Sequence, residues 1–411
     1  TPPRRVSQLI NDPIYGFSEL PKQGAIAELL HHPYFQRLRR ISQLGMAQYV
    51  YPNASHSRFS HTLGALHLMQ NALSALQRKG ADISEQEAEA TQIAILLHDL
   101  GHCPFSHSLE FQLMNVHHER LSQAMMEQLN AQDGSLQGAL SLALRIFKDE
   151  YHKPFLHQLV SSQIDMDRLD YLTRDSYFTG VMEGKVGYKR ILQTLQIVDN
   201  QLVIAYKGIY SIEHFLIARR LMYWQVYLHK AVVCASAMLS RVVERARELL
   251  AQQPQLWQKG ELSPALRYFL AQLHTEADLQ TRQDEILGHF ALLDDGDLWQ
   301  ALKSFAQDED PILSLLARQL LHRQLFKVEA SDTPFSSEEV EQMRQQCSER
   351  IGIAPELARY LVFTTQEANR AYNSRKQSIR ILRHDGTVRP ISDWAEHHIQ
   401  RKEVIKHYLC Y

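Results

Sequence analysis

The segment SEQEAEATQIAILLHDLG, residues 84–101, leaves a folding chain little choice. It opens with Ser84 three residues before Glu87, the capping-box spacing in which each side chain satisfies the other residue's free backbone N–H. The apolar run IAILL follows, and Gly101 supplies a stop, so the segment predicts a buried helix with a defined start and end. Its last turn carries His98 and Asp99. A polar pair that leaves a buried helix at its end is predicted to sit at the rim of a cavity.

The rest of the chain follows the same helical pattern. SHTLGALHLMQNALSALQRKG predicts a helix capped by Ser60 and stopped at Gly80, and SIEHFLIARRLMYWQVYLHKAVVCASAMLSRVVERARELL reads as one long, largely buried helix from near Ser211. Strand signals are sparse. LQIVDNQLVIAY turns at Asp199-Asn200, and SIRILRHDGTVRPIS turns at Asp385-Gly386. These predict two small hairpins, near residues 194–206 and 377–389. The breaker-rich AQQPQLWQKGELSP interrupts the pattern after residue 250, and a polar, uneven helical stretch follows to about residue 350. The expected fold is mainly α: a helical core over residues 1–250, with a helical accessory and C-terminal region over 251–411 packed on it.

Charge and cysteine narrow the function. The 411 residues carry 44 basic and 46 acidic side chains, a formal charge of -2, so no excess of positive charge marks nucleic acid or a membrane surface as the main partner. Cys103, Cys234, Cys347 and Cys410 form no CxxC pair and are expected to be reduced. No apolar run approaches 18 residues and no export signal is evident, so the expected location is the cytoplasm, with no membrane span.

Histidine is the outlier. Of 21 histidines, seven fall within residues 61–118, and five of these within residues 98–118. A lone His-Asp pair at a helix end is usually a polar cap of no special chemistry. Here His102, His107, His117 and His118 follow it, and imidazole nitrogen with carboxylate oxygen is the donor set of a divalent metal. Downstream, SSQIDMDRLDYLTRDSYFTG brings Asp165, Asp167, Asp170 and Asp175. Helical spacing puts Asp167, Asp170 and Tyr171 on one face, with Asp167 toward metal and Tyr171 toward a ligand.

At these residues the chain resembles the HD-domain phosphohydrolases. The runs FQRLRRISQLG, YPNASHSRFSHTLG, HDLGHCPFSH and DMDRLDYLTRDS are similar to the subgroup of deoxynucleoside triphosphate triphosphohydrolases, including the animal enzyme joined to a sterile-alpha motif. The likeness runs from about residue 9 to 236 and returns weakly near 372–389. It implies one divalent metal per subunit (Fe, Mn, Ni, Zn or Mg) on His61, His98, Asp99 and Asp167. It implies His107 as general acid, His118 with Glu119 behind it supporting the proton transfer, and His102 on phosphate. Arg58 then reaches the α-phosphate, and Arg168, where close relatives carry lysine, the β- or γ-phosphate. Tyr171, Asp175 and Gln43 face the sugar, and Arg219 and Tyr227 the phosphate and base. Tyr223 stands where relatives carry histidine, and His56 is read as structural. The implied reaction takes a dNTP to deoxynucleoside and triphosphate. The alternatives are hydrolysis of another nucleotide, such as a monophosphate, and nucleotide binding without turnover; Arg168 and Arg219 favour a polyphosphate. A homodimer or homotetramer is implied, with a nucleotide effector at Gln36 and Arg39 and the basic YNSRKQSIRILRH as its other half. His31 replaces the aspartate that reads guanine in relatives, which predicts either activity without any activator or activation by nucleotides with weak base preference.

Overall fold

A computed structural model of the chain describes residues 7–132, 134, 136–369, 378–393 and 404–411. It is mainly helical. Four helices frame the centre: α1 (Arg58–Arg78), α2 (Glu85–Leu97), α3 (His118–Gln132) and α4 (Met166–Thr179). Helix α1 packs against both α2 and α4. The capping box of α2 is present in both halves, with Glu87 N–H donating to Ser84 Oγ (3.2 Å) and Ser84 N–H to Glu87 Oε2 (2.8 Å). Two local expectations shift. Ser57, not Ser60, caps α1, because its Oγ accepts the Ser60 N–H. Helix α2 ends at Leu97, so His98 is its C-cap and Asp99 lies just beyond the last turn.

The predicted long helix is two helices, α5 (Ile209–Met222) and α6 (Lys230–Gln252), with their segments bent by 55°. Between them Tyr223–Tyr227 widens into a π-helical turn, and His229 takes extended backbone (φ -61°, ψ 125°). The His229 ring then caps α6 by accepting the Ala231 N–H at 3.3 Å. Apolar periodicity is blind to such a break, since both halves bury the same kind of face. π-Turns of this sort recur at functional sites, and this one delivers Tyr223, Val226 and Tyr227 to the central cleft.

Both expected hairpins form, Leu195–Val198 with Gln201–Ala205 and Arg380–Leu382 with Val388–Pro390. Asp199 and Asn200 both have positive φ (50° and 58°), the backbone a two-residue turn between twisted strands requires. The hairpins are not separate: Ile204 pairs in parallel with Ile381, joining them into one four-stranded sheet. Further strands were not foreseen. Ser7–Asp12 pairs with Gly16–Pro21, and Val404–Cys410 lies between Val328–Ser331 and Phe363–Asn369. One apolar core runs from Leu20 to Cys410, so residues beyond 250 share the core of those before it. Among the described residues no single helix is long and apolar enough to cross a membrane.

Candidate active site

A cleft of about 730 Å³ opens where α1, α2 and α4 meet the π-turn. The first turn of α1 brings His61, the end of α2 brings His98 and Asp99, and the first turn of α4 brings Asp167. His61 Nε2 lies 3.1 Å from Asp167 Oδ1 and 3.7 Å from Asp99 Oδ2; His98 Nε2 lies 3.2 Å from Asp99 Oδ1 and 3.5 Å from Asp167 Oδ1. The outer nitrogens are committed elsewhere. His98 Nδ1 donates to Ile95 O (2.6 Å), and His61 Nδ1 donates to Asp170 Oδ2 (2.8 Å). Both Nε2 atoms are buried without an aligned hydrogen bond, although carboxylates stand beside them. Two lone pairs aimed at shared carboxylates are the arrangement of a divalent-metal site whose ligands are oriented from behind. The electrostatics agree. Burial opposes a charged His61, yet Asp167 and Asp170 push its pKa up to about 10. Burial likewise opposes a charged Asp99, but Arg58, His98 and His102 hold it well below the usual carboxylate range. The cluster therefore favours a cation at its centre, a proton or a metal.

Asp170 is itself clamped. Arg174 donates from Nε to Asp170 Oδ2 and from Nη2 to Asp170 Oδ1, both at 2.9 Å, and from Nη2 to Asp12 Oδ2 at 2.8 Å. Arg174 is fully buried. The pair fits only because α1 carries glycine opposite it: a Cβ on Gly64 would fall 2.0 Å from Asp170 Oδ1 and 2.1 Å from Arg174 Nη2. The face shared by Asp167 and Asp170 was legible in sequence, but not this buttress.

The remaining histidines form a second group. His102 stacks on His118 (4.0 Å between ring centres), with His107 edge-on to both. His107 Nδ1 meets Glu110 Oε2 at 2.7 Å, and His118 Nδ1 meets Glu110 Oε1 at 2.6 Å. Glu110, not Glu119, is thus the carboxylate behind His118. Glu119 follows His118 on α3 and leaves from another side of the helix; its carboxylate lies 3.9 Å from His117. Burial raises the pKa of Glu110, but the two rings outweigh it and keep the group ionised. Burial, with Arg58 and His118 nearby, holds His102 well below the ordinary histidine range, so it is neutral. Arg58 itself is buried, donating to Asp99 Oδ2 (2.6 Å) and Ser106 Oγ (2.7 Å).

Gln43, Arg168, Tyr171, Asp175, Tyr223 and Tyr227 also line the cleft. Tyr227 donates to Asp175 Oδ2 at 2.8 Å, and Arg168 donates to Ser162 O at 2.6 Å and Tyr171 Oη at 3.3 Å. Burial lifts the Tyr171 phenol to about 12. Arg219 is buried, donates to Gln163 Oε1 at 3.3 Å and is not among the residues that line the cleft. His56, read as structural, meets Asp175 Oδ1 at 2.7 Å.

Two supports come from elsewhere. Arg37 is buried and donates to Leu100 O (3.2 Å) and His102 O (3.0 Å), pinning the HDLGH turn. From beyond residue 250, Asp295 accepts the Phe105 N–H (2.7 Å) and the Ser42 N–H (2.9 Å). It holds a turn in which Phe105 and Ser106 both have positive φ (54° and 56°). At the expected effector position, Arg39 donates to Gln36 Oε1 (2.8 Å) and lies over the Phe59 ring (3.6 Å). Residues 372–377 of YNSRKQSIRILRH lie outside the described residues.

Comparison with known proteins places this geometry. The HD domain model matches residues 58–175, and the HD associated region model matches 186–261. The uncharacterised protein YwfO of Bacillus subtilis is 31% identical over 328 residues, 78% of this chain and 71% of that protein. The deoxynucleoside triphosphate triphosphohydrolase of Homo sapiens is 31% identical over 288 residues, 59% of this chain and 45% of that protein, so the chain spans about half the length of that relative. Among solved structures, a phosphohydrolase from Bacteroides thetaiotaomicron superimposes with a TM-score of 0.92 at 46% identity, covering 98% of this chain and 99% of that one. A hypothetical protein from Aquifex aeolicus gives 0.70 at 25% identity, covering 98% and 96%.

Proposed function

Because the chain belongs to the HD-domain phosphohydrolases, in the subgroup similar to the deoxynucleoside triphosphate triphosphohydrolases, we propose that it hydrolyses dNTPs to deoxynucleoside and triphosphate. The observation that carries the reading is one cleft whose lining brings together His98, Asp99 and Asp167, with His61 buried beside them, the histidines held by Glu110, and Tyr171, Asp175 and Tyr227. His61, His98, Asp99 and Asp167 would hold a divalent metal, which would supply Lewis acidity toward a phosphoryl oxygen and lower the pKa of a bound water. Its identity lies among Fe, Mn, Ni, Zn and Mg.

The chain's own groups do the rest. Arg58 offers its guanidinium to the α-phosphate, and Arg168 to the β- or γ-phosphate. Water attacks the α-phosphorus, the P–O5′ bond breaks, and the leaving 5′-oxygen takes a proton. His107 offers that proton from Nε2, since Glu110 occupies its Nδ1. His118, on the same carboxylate, supports the transfer, and His102 contacts phosphate. Tyr171 closes the space a 2′-hydroxyl would need, Asp175 accepts the 3′-hydroxyl, and Gln43 lies beside the sugar. Tyr227 contacts the base, and Arg219 acts through the groups around it. A homodimer or homotetramer, with a nucleotide effector held by Gln36 and Arg39, completes the proposal.

The test is to load the protein with metal, incubate it with each dNTP and ribonucleotide, and separate the products. Deoxynucleoside with inorganic triphosphate is expected. Release of orthophosphate or pyrophosphate, or turnover confined to monophosphates, overturns the substrate assignment.

A further inference from the structure

Two residues at the sugar end of the cleft, Gln43 and Asp175, come from segments far apart in sequence, and one residue behind them holds both. The backbone carbonyl of His56 accepts the Gln43 N–H at 3.0 Å. The His56 ring places Nε2 2.7 Å from Asp175 Oδ1, with both side chains 1% exposed. An ionised carboxylate only accepts, so Nε2 is the donor. The ring stacks on Phe178 (4.6 Å between centres, 15° between planes), which fixes its plane. His56 is not among the residues that line the cleft, so it acts from behind.

Its arrangement is that of a clamp. Tyr227 donates to Asp175 Oδ2 while His56 donates to Oδ1, so each carboxylate oxygen carries one fixed donor. The carboxylate plane cannot rotate, and one lone pair per oxygen stays available in a set direction. His56 Nδ1 is buried with no hydrogen-bond partner, so the bond to Asp175 is the polar contact for which the ring is placed. A histidine that merely fills core has no reason to leave one nitrogen bare while aligning the other on a carboxylate.

We propose that His56 is a positioning residue for sugar recognition. By clamping Asp175 through its ring and Gln43 through its carbonyl, it aims the Asp175 lone pair that accepts the substrate 3′-hydroxyl, and so sets the preference for a 3′-hydroxyl over a 3′-deoxy sugar. The proposal rests on Asp175 being the 3′-hydroxyl acceptor.

The experiment measures kcat and KM of the metal-loaded full chain on a 2′-deoxynucleoside triphosphate and on the 2′,3′-dideoxy compound of the same base. Wild type, His56→Phe and His56→Gln are compared. Phenylalanine keeps the ring on Phe178 and removes the donor; glutamine puts an amide N–H near the position of Nε2. Wild type is expected to prefer the 3′-hydroxyl by about tenfold or more in kcat/KM, the weight of one hydrogen bond to a charged group. His56→Phe is expected to lower that ratio about fivefold, mainly through KM for the deoxy substrate, with metal content unchanged, and His56→Gln to restore most of it. His56→Asn, whose shorter amide stops short of Asp175, carries the same expectation if the phenylalanine variant does not fold. A purely structural role slows both substrates equally; an unchanged ratio alongside an intact wild-type preference overturns the role of His56 and leaves Asp175 standing. A wild type indifferent to the 3′-hydroxyl overturns the reading of Asp175 and this proposal with it.

Discussion

Two groups of histidines stand at the cleft or directly behind it, and they are built on opposite principles. His61 and His98 are anchored on helices α1 and α2, His61 is 0% exposed, and each gives its outer nitrogen to a buried acceptor. His102, His107 and His118 come from a turn and a helix start, and their side chains grade from 3% exposed at His102 through 17% at His118 to 64% at His107. In the first group a buried ion pair holds His61 and a backbone carbonyl holds His98; in the second, His107 and His118 share one carboxylate, Glu110, while His102 stacks on His118. The difference fits the two chemical tasks proposed for them. A metal site needs fixed distances, whereas a group that takes and gives protons needs contact with solvent and a partner that tolerates both charge states.

The largest test of that contrast is Asp167→Ala. It removes the carboxylate that lies between both rings, and metal content by elemental analysis should fall to background together with activity; full occupancy would dissolve the distinction. His107→Ala should do the reverse, keeping metal while losing turnover on the order of 10²-fold or more, the usual weight of a general acid. Near-normal turnover would move the proton to another group.

Smaller effects sharpen the picture. Asp170→Asn should weaken metal retention about 10–100-fold in competition with a chelator, because second-layer partners tune ligands by that much. Gly64→Ala should move affinity the same way, since its Cβ collides with the Asp170–Arg174 pair. Glu110→Gln should lower kcat about tenfold, while Glu119→Gln stays within about twofold, as expected for one charge-assisted hydrogen bond kept or lost. Equal effects would restore Glu119 to the role the sequence suggested.

The mildest test lies at the far end of α2. Burial raises the Glu87 pKa, but Ser84 N–H, Lys153 and Tyr151 outweigh it and lower it from 4.5 to about 2. A depressed folded-state pKa gives stability that is fully present above the unfolded value and is lost as pH falls through the folded one. Wild type should therefore exceed Glu87→Gln in thermal midpoint at pH 7, with the gap narrowing below about pH 4.5 and closing near pH 2. A gap that persists at pH 2 would mean that shape, not charge, makes the contribution.

Legibility follows the distance over which each feature is decided. The capping box of α2 and the turn at Asp199-Asn200 are fixed by side chains within three residues of each other, so sequence alone announces them. The three-stranded sheet around Val404–Cys410 is not legible in sequence because VEAS is short, FTTQEAN is polar, and both pair with VIKHYLC across long separations. Glu110 was in view at the end of HCPFSHSLE yet unassigned; the hint was its spacing of three from His107 on one turn. Nothing near Ser42 or Phe105 points to Asp295, which reaches them from 253 and 190 positions away.

By itself, the sequence determined the helical class and the two hairpins, because helical period and turn chemistry are local properties of the chain; the grouping of His61, His98, Asp99 and Asp167 came from the resemblance to a family. The tertiary structure alone decided what stands behind each of them: Asp170 and Arg174 behind His61, Glu110 behind His107 and His118, His56 behind Asp175, and a bend where one helix was expected. The reason is physical. A buried charge or imidazole takes whichever partner the packed core brings within about 3 Å, and that choice is made only when α1, α2 and α4 close on one another.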